Sequence, residues 1–246
     1  MDRMLWVSMT GADQMLDAQA IVAHNMANAS THGYRADLHA FSSYLIQGPG
    51  YQTRANVVAN QLGFDPRNGT FEGTGRILDI AVQGTGWIAV QAPDGTEAYT
   101  RAGSLRLNPD GILQTAAGHP VLADGGPVSI PPANEIAIAG DGTISIVPQG
   151  LGPATLAAVG RIKLVDPPVD AMVKGPDGLM RLKDGTNAVV DPGVRIVSGG
   201  LESSNVNIAE ALIEMIDLAR QYEMQVRMMS TAEQTDQAAQ QLLRAG

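Results

Sequence analysis

Apolar residues mark one line down each end of the chain. Leu5, Met9, Ala12, Leu16, Gln19, Ala23 and Met26 step by alternating fours and threes, and Ile208, Leu212, Met215, Ala219, Tyr222, Val226 and Met229 do the same near the other end. This spacing predicts a helix with a single apolar stripe in each place. A helix cannot hide such a stripe alone, so the partner of each terminal helix is the other one or a neighbouring subunit. The C-terminal helix has a legible start at Asn207, followed three residues later by Glu210, an approximate capping box. Past Met229 the line fades, because Glu233 and Asp236 fall on it, and a shifted line through Met228, Ala232, Ala239 and Leu242 replaces it.

Between the helices the period changes to two. Leu78, Ile80 and Val82 alternate with Asp79, Ala81 and Gln83; Leu105 and Leu107 flank Arg106; Ile144 and Ile146 flank Ser145; Ile162 and Leu164 flank Lys163. Such alternation predicts half-buried strands. Six Asp-Gly steps, at residues 94, 110, 124, 141, 177 and 184, supply the positive φ of tight hairpins, at spacings too irregular for a repeat protein. Gly84-Thr85-Gly86 lacks the third glycine and the helix of a nucleotide fingerprint and reads as a turn between strands.

The expected fold class is therefore α+β, with paired coiled-coil-like terminal helices and a central, mainly antiparallel β domain. Four segments follow: an assembly helix over 1–30, an extended and partly ordered linker over 31–75, the β domain over 76–200, and a second assembly helix over 201–246. The first helix is expected to end near Ala29 and Ser30, with Gly33 as a left-handed stop. Gly48-Pro49-Gly50 punctuates the linker.

Composition narrows the function. With 28 glycines, 14 prolines and 4% aromatics in 246 residues, the chain favours short strands and turns. A net charge of −9 without a basic cluster excludes an electrostatic footprint for nucleic acid or anionic lipid. Cysteine is absent, which removes disulfides and thiolate metal sites. Charges at Asp2, Arg3, Asp13 and Asp17 break up any apolar core of a Sec signal, and no apolar run is long enough to span a bilayer.

Candidate chemistry is sparse. His24, His32 and His39 stand eight and seven residues apart, without the spacing that places metal ligands on one helix face; His119 is the fourth histidine. None of the Asp-Gly steps continues as a calcium loop, and neither a nucleophile elbow nor a His-Glu-x-x-His helix occurs. No catalytic, cofactor or metal site is expected. Small or polar knobs at Ala12, Gln19, Ala23 and Ala219 make a lone helix pair marginal. Stacked copies would also bury Met15, Val22, Ile213 and Ile216, which favours assembly. Rival readings are a secreted β-domain enzyme on helical anchors and a two-helix adaptor forming a closed oligomer.

Three blocks resemble the flagellar basal-body rod protein family. The opening "MTGADQMLDAQAIVAHNMANASTHGYRAD" is similar to its amino-terminal signature through Asn25, Asn28, Thr31, Gly33 and Tyr34, with His24 where a second Asn is usual. The centre matches through Leu78, Asp79, Gly84, Gly86, Tyr99 and Arg101, with Trp87-Ile88 replacing an aromatic pair. The closing block matches through Leu201-Glu202, Asn205, Val206, Glu210, Met215, Arg220, Tyr222 and Glu223. "GYRADL", "GRIKLV" and "DGLMRL" look most like proximal rod subunits, with distal rod or hook-type subunits the runner-up. The resemblance implies a non-enzymatic subunit whose terminal helices line a tube that transmits torque, with no cofactor. Implied partners are copies of itself, other proximal rod proteins and the distal rod protein, and the flagellar type III export apparatus in transit. The implied location is the basal body, in the part of the rod that spans the periplasm. Arg220 and Glu223 are expected to bridge subunits.

Overall fold

A computed structural model describes residues 2–45, 55–149 and 156–245. Gly48-Pro49-Gly50 and the side chain of Leu242 lie outside the described part. The chain divides into two compact units. A helical unit takes Met1–Asn28, Asp37–Gly63 and Val206–Gly246, and a β unit takes Ala29–Ala36 and Phe64–Asn205.

The helical unit contains α1 (Asp2–Ala27), α2 (Ile208–Ala245), and strands β1 (Asp37–Leu45) and β2 (Ala55–Phe64, of which Phe64 falls in the β unit), which pair as a two-stranded sheet. Asn207 caps α2: its Oδ1 accepts the Ala209 N–H at 3.0 Å and its carbonyl the Ala211 N–H at 3.0 Å. The stretch read as linker thus holds strands of nine and ten residues. Their period is hard to read because Leu38 and Phe41, on opposite faces of β1, are both exposed.

The helices close on Ser8, Gly11, Ala12, Met15, Ala18 and Val22 of α1, all buried, and on Ala211, Leu218 and Ala232 of α2, with Met26, Met215 and Tyr222 packed partly against them. Small residues let the backbones approach closely; a Cβ on Gly11 would stand 3.1 Å from the Gln225 side chain. The pair runs antiparallel, since Met26 at the end of α1 shares this cluster with Val206 just before α2, whereas Gly11 lies against Gln225 farther along.

In the β unit, β3 (Phe71–Gly73), β4 (Ile80–Gln83), β5 (Trp87–Gln91), β6 (Glu97–Thr100), β7 (Leu105–Leu107), β8 (Leu113–Thr115), β9 (Leu122–Ala123) and β10 (Gly126–Pro127) come first. Then follow β11 (Ala133–Ile138), β12 (Thr143–Pro148), β13 (Ala157–Arg161), β14 (Leu164–Val165), β15 (Met172–Lys174), β16 (Met180–Leu182), β17 (Arg195–Ser198) and β18 (Gly200–Glu202). All of their pairings are antiparallel. The largest sheet has the order β14-β5-β6-β16-β15, the next β11-β12-β13, and short ladders join β17 to β4 and β18 to β3. One core gathers Ile80, Ile88, Leu105, Leu113, Ile144 and Leu164; another gathers Phe64, Trp87, Tyr99 and Met180.

Five of the Asp-Gly steps, at 94, 110, 124, 141 and 177, join strands that pair with each other. Asp184-Gly185 differs: β17, which follows it, pairs with β4. Simple alternation also fails at two places. Asp79 is buried, its Oδ2 accepting the Thr74 hydroxyl at 2.8 Å, and Lys163 reaches Glu97 at 2.8 Å in a nearly buried ion pair.

Candidate assembly surface

Consecutive residues stand about 100° apart round a helix. The inward line of α1 includes Ser8, Met15 and Val22, so Met9, Leu16 and Ala23 stand beside the seam and are exposed, with Leu5 half-buried. On α2, Ala211 and Leu218 face α1, and exposed Leu212 and half-buried Ala219 lie next to them; Ile208 and Val226 are also exposed. Ala12, Met26, Met215 and Tyr222 belong to the intramolecular seam, and Met229 is half-buried. Met15 and Val22 are buried within the single chain, whereas Ile213 and Ile216 are exposed at 62% and 51%. Exposed apolar side chains thus line the flank of a seam that mixes small and large ones. Contiguous exposed apolar surface is a general mark of interaction sites on folded chains.

The start of β1 is tied to α1 by side chains. Asn25 donates to the Asp37 carbonyl at 2.9 Å and accepts the Asp37 N–H at 2.8 Å, behaving like one residue of an added strand. His24 Nδ1 lies 3.0 Å from Asp37 Oδ2, and His39 Nε2 lies 3.5 Å from Glu214 Oε1. Arg220 and Glu223 are exposed, and Glu223 approaches Arg227 at 3.9 Å. A solvated pair of this kind contributes little to stability.

Within the β unit the signature residues converge. Gly33 adopts φ +72°, and a Cβ there would stand 2.3 Å from the Arg101 carbonyl carbon. Its N–H donates to the Glu202 carbonyl at 2.8 Å. Glu202 pairs with Arg35 at 2.7 Å and Arg101 at 2.8 Å, and Arg101 also donates to the Gly84 carbonyl. Both guanidinium carbons lie over the Trp87 ring, at 5.9 Å for Arg35 and 5.3 Å for Arg101. Burial pushes the Arg101 pKa down, and the Arg35 charge adds to this while Glu202 opposes it. Gly86 packs against Val194 with no room for a Cβ. Asn205 accepts the Ala36 N–H at 2.8 Å and donates to the carbonyls of Asp65 at 3.1 Å and Arg67 at 2.9 Å. Burial alone would raise the Asp65 carboxyl; the Arg67 side chain and N–H outweigh it and hold the pKa low.

Tyr99 completes a separate polar knot: its hydroxyl donates to Glu97 at 2.9 Å and accepts the Ala188 N–H at 2.6 Å, and burial pushes it up to about 12. The sequence named Glu202 and Trp87 only as parts of the matching blocks and gave Arg35 no role; nothing local pairs position 35 or 101 with position 202.

Two cavities of about 510 Å³ and 630 Å³ open on the β unit; the first is lined by Phe71, Val82, Gly84 and Glu202, the second by Ile77, Ile136 and Leu156 among others. Neither brings together the converging titratable groups that catalysis needs. Among the described residues, no three His, Cys, Asp or Glu side chains stand together as metal ligands, and no helix is long and apolar enough to cross a membrane.

Two long helices, one before and one after an antiparallel β unit in sequence, with apolar side chains exposed on the helix pair, are the architecture of the chain. Residues 197–242 match the flagellar basal body rod FlgEFG protein C-terminal family, and residues 81–146 the flagellar hook protein FlgE/F/G D1 domain. The chain is 43% identical to the flagellar basal-body rod proteins FlgF of Salmonella typhimurium and Escherichia coli, over 99% of each chain. It is 31% identical to the flagellar basal-body rod protein FlgG of Buchnera aphidicola from Acyrthosiphon pisum, over 97% of this chain and 98% of that one. The chain belongs to the flagellar basal-body rod protein family.

Proposed function

We propose that this chain is a non-enzymatic structural subunit of the flagellar basal-body rod, and that copies pack through the exposed flank of the helix pair. The carrying observation is that flank: Met9 and Leu16 on α1, and Ile208, Leu212 and Val226 on α2, are all at least 40% exposed beside a closed seam. Fully burying a side chain of this kind gains roughly 1.5 to 3 kcal/mol and these are about half exposed, so each contributes roughly 0.7 to 1.5 kcal/mol and several act together at a neighbour contact. Neighbours on this reading are further copies and other rod proteins, proximal and distal. Passage through the flagellar type III apparatus and residence in the periplasmic part of the rod belong to the same proposal, as does torque transmission through close-packed, poorly compressible contacts.

Leu212→Glu tests it, because this side chain touches solvent in the single chain and would be buried only by a neighbour. The variant is expected to keep the wild-type melting curve while losing its place in purified basal bodies and abolishing motility, since an unpaired buried carboxylate is costly. Normal incorporation of Leu212→Glu would overturn the assignment of the face.

A further inference from the structure

The buried charges of the β unit do more than fill a core. A single carboxylate serves two guanidiniums: Glu202 Oε1 meets Arg35 at 2.7 Å and Oε2 meets Arg101 at 2.8 Å, with both arginine side chains 1% exposed. Glu202 Oε1 also accepts the Gly69 N–H at 2.9 Å. Nε and one terminal nitrogen of Arg35, and Nε of Arg101, have no hydrogen-bond partner among the described residues. Two like charges therefore sit together over the Trp87 ring, and Glu202 is the carboxylate that contacts both.

The segments joined are distant in sequence. Arg35 lies in the chain that follows α1, Glu202 in the strand that precedes α2, and Arg101 and Trp87 in the body of the β unit. The backbone ladder at this place is short: β18 pairs with β3 through Gly200, Leu201 and Glu202, and the Ser203 N–H to the Thr70 carbonyl and the Thr74 N–H to the Gly199 carbonyl, each 2.8 Å, extend it at either end. A short two-stranded ladder opens bond by bond when one strand is pulled away from the other. The Glu202 side chain ties β18 to Arg35 and Arg101 outside that ladder and opposes such peeling.

We propose that Glu202 is a positioning residue that clasps the chain arriving from α1 to the chain leaving for α2, so that load applied to either terminal segment passes into the Trp87 sheet instead of peeling β18. The load-bearing half of this proposal rests on the rod reading above; the clasp itself does not. The charges make it brittle in a defined way. Without the carboxylate, two buried guanidiniums lose the ion pair they share, which is worse than losing one hydrogen bond.

The test uses the full-length chain carrying Trp6→Phe, so that Trp87 is the only indole, and compares Glu202→Gln with Glu202→Asp, which keeps the charge. In Glu202→Gln the Trp87 emission is expected to shift, and amides of residues 33–37 and 200–205 to exchange about tenfold faster or more, while β5 and β6 stay protected. Glu202→Asp is expected to restore most of both signals. If Glu202→Gln does not accumulate folded, Arg35→Lys, which keeps every charge but loses the planar fork, serves the same comparison. Unchanged emission and exchange in the folded variant would overturn the clasp. In cells, the altered variant is expected to incorporate and swim in dilute medium but to stall in viscous medium; undiminished swimming under load would overturn the mechanical role. Absence of the wild-type chain from basal bodies would sink the rod reading and that role with it, leaving the exchange result on the free chain standing.

Discussion

Single residues in this molecule act mainly by letting backbone segments meet. A Cβ on Gly103 would stand 1.6 Å from the Ile80 carbonyl oxygen, and one on Gly33 would strike the Arg101 backbone in addition to requiring positive φ. Gly84 has φ +76° but open space around it. Gly84→Ala is therefore expected to cost about 1 kcal/mol, and Gly33→Ala or Gly103→Ala at least about 3 kcal/mol, read from denaturant melts. Asn205 carries three backbone contacts on one amide, so Asn205→Ala is expected to cost roughly 2 to 4 kcal/mol. Residue-type reasoning read Asn, Thr and Gly near residue 30 as turn and cap formers. The longer-range duty of Asn25 and Asn205, each standing in for a strand residue, has no local sign, since an asparagine that caps a helix and one that bridges two loops look alike in a string of letters.

Elements show the same division between what local pattern carries and what packing decides. Helix positions were legible from period, and so were most hairpins, because Asp-Gly turns have a local cause. Asp94, Asp141 and Asp184 each accept the N–H and hydroxyl of the threonine two residues on, and these bonds hold all three carboxyls below their ordinary pKa of 3.8. A carboxyl with a lowered folded pKa contributes stability that is present above its unfolded value and lost as pH falls through the folded one. The melting temperature of the β unit is thus expected to hold down to about pH 4 and to drop below it, with a shallower drop in Asp141→Asn. The rotation of the helices was not legible. Ser8, Met15, Val22, Ala211 and Leu218 lie in the intramolecular seam, each one residue before a member of the expected stripe, because two apolar lines run side by side on each helix and periodicity alone does not say which of them faces the partner. Ala18→Leu is accordingly expected to overpack that seam by about 1 to 3 kcal/mol and to lower the helical melting signal, without touching the β unit.

At the scale of the whole molecule, the split into helical ends and a β middle was plain in the sequence because the hydrophobic period itself changes there. Strand neighbours were not: β17 with β4 and β18 with β3 join residues more than a hundred positions apart, and short apolar alternations do not name their partners. The division into units also carries a prediction. A chain of residues 29–205 is expected to retain the cooperative melt of the β unit by near-ultraviolet circular dichroism while losing nearly all helical signal.

Because α1 finds its seam only in α2, on the far side of the whole β unit in sequence, the helical unit cannot close on a chain cut short before α2. An isolated helix of 26 residues with so many small inward side chains has little to hold it together in water. On the assembly proposed above, the complete flank, with its α1 and α2 halves side by side, exists only once α2 docks, so chains cut short before α2 offer a growing polymer at most half of it.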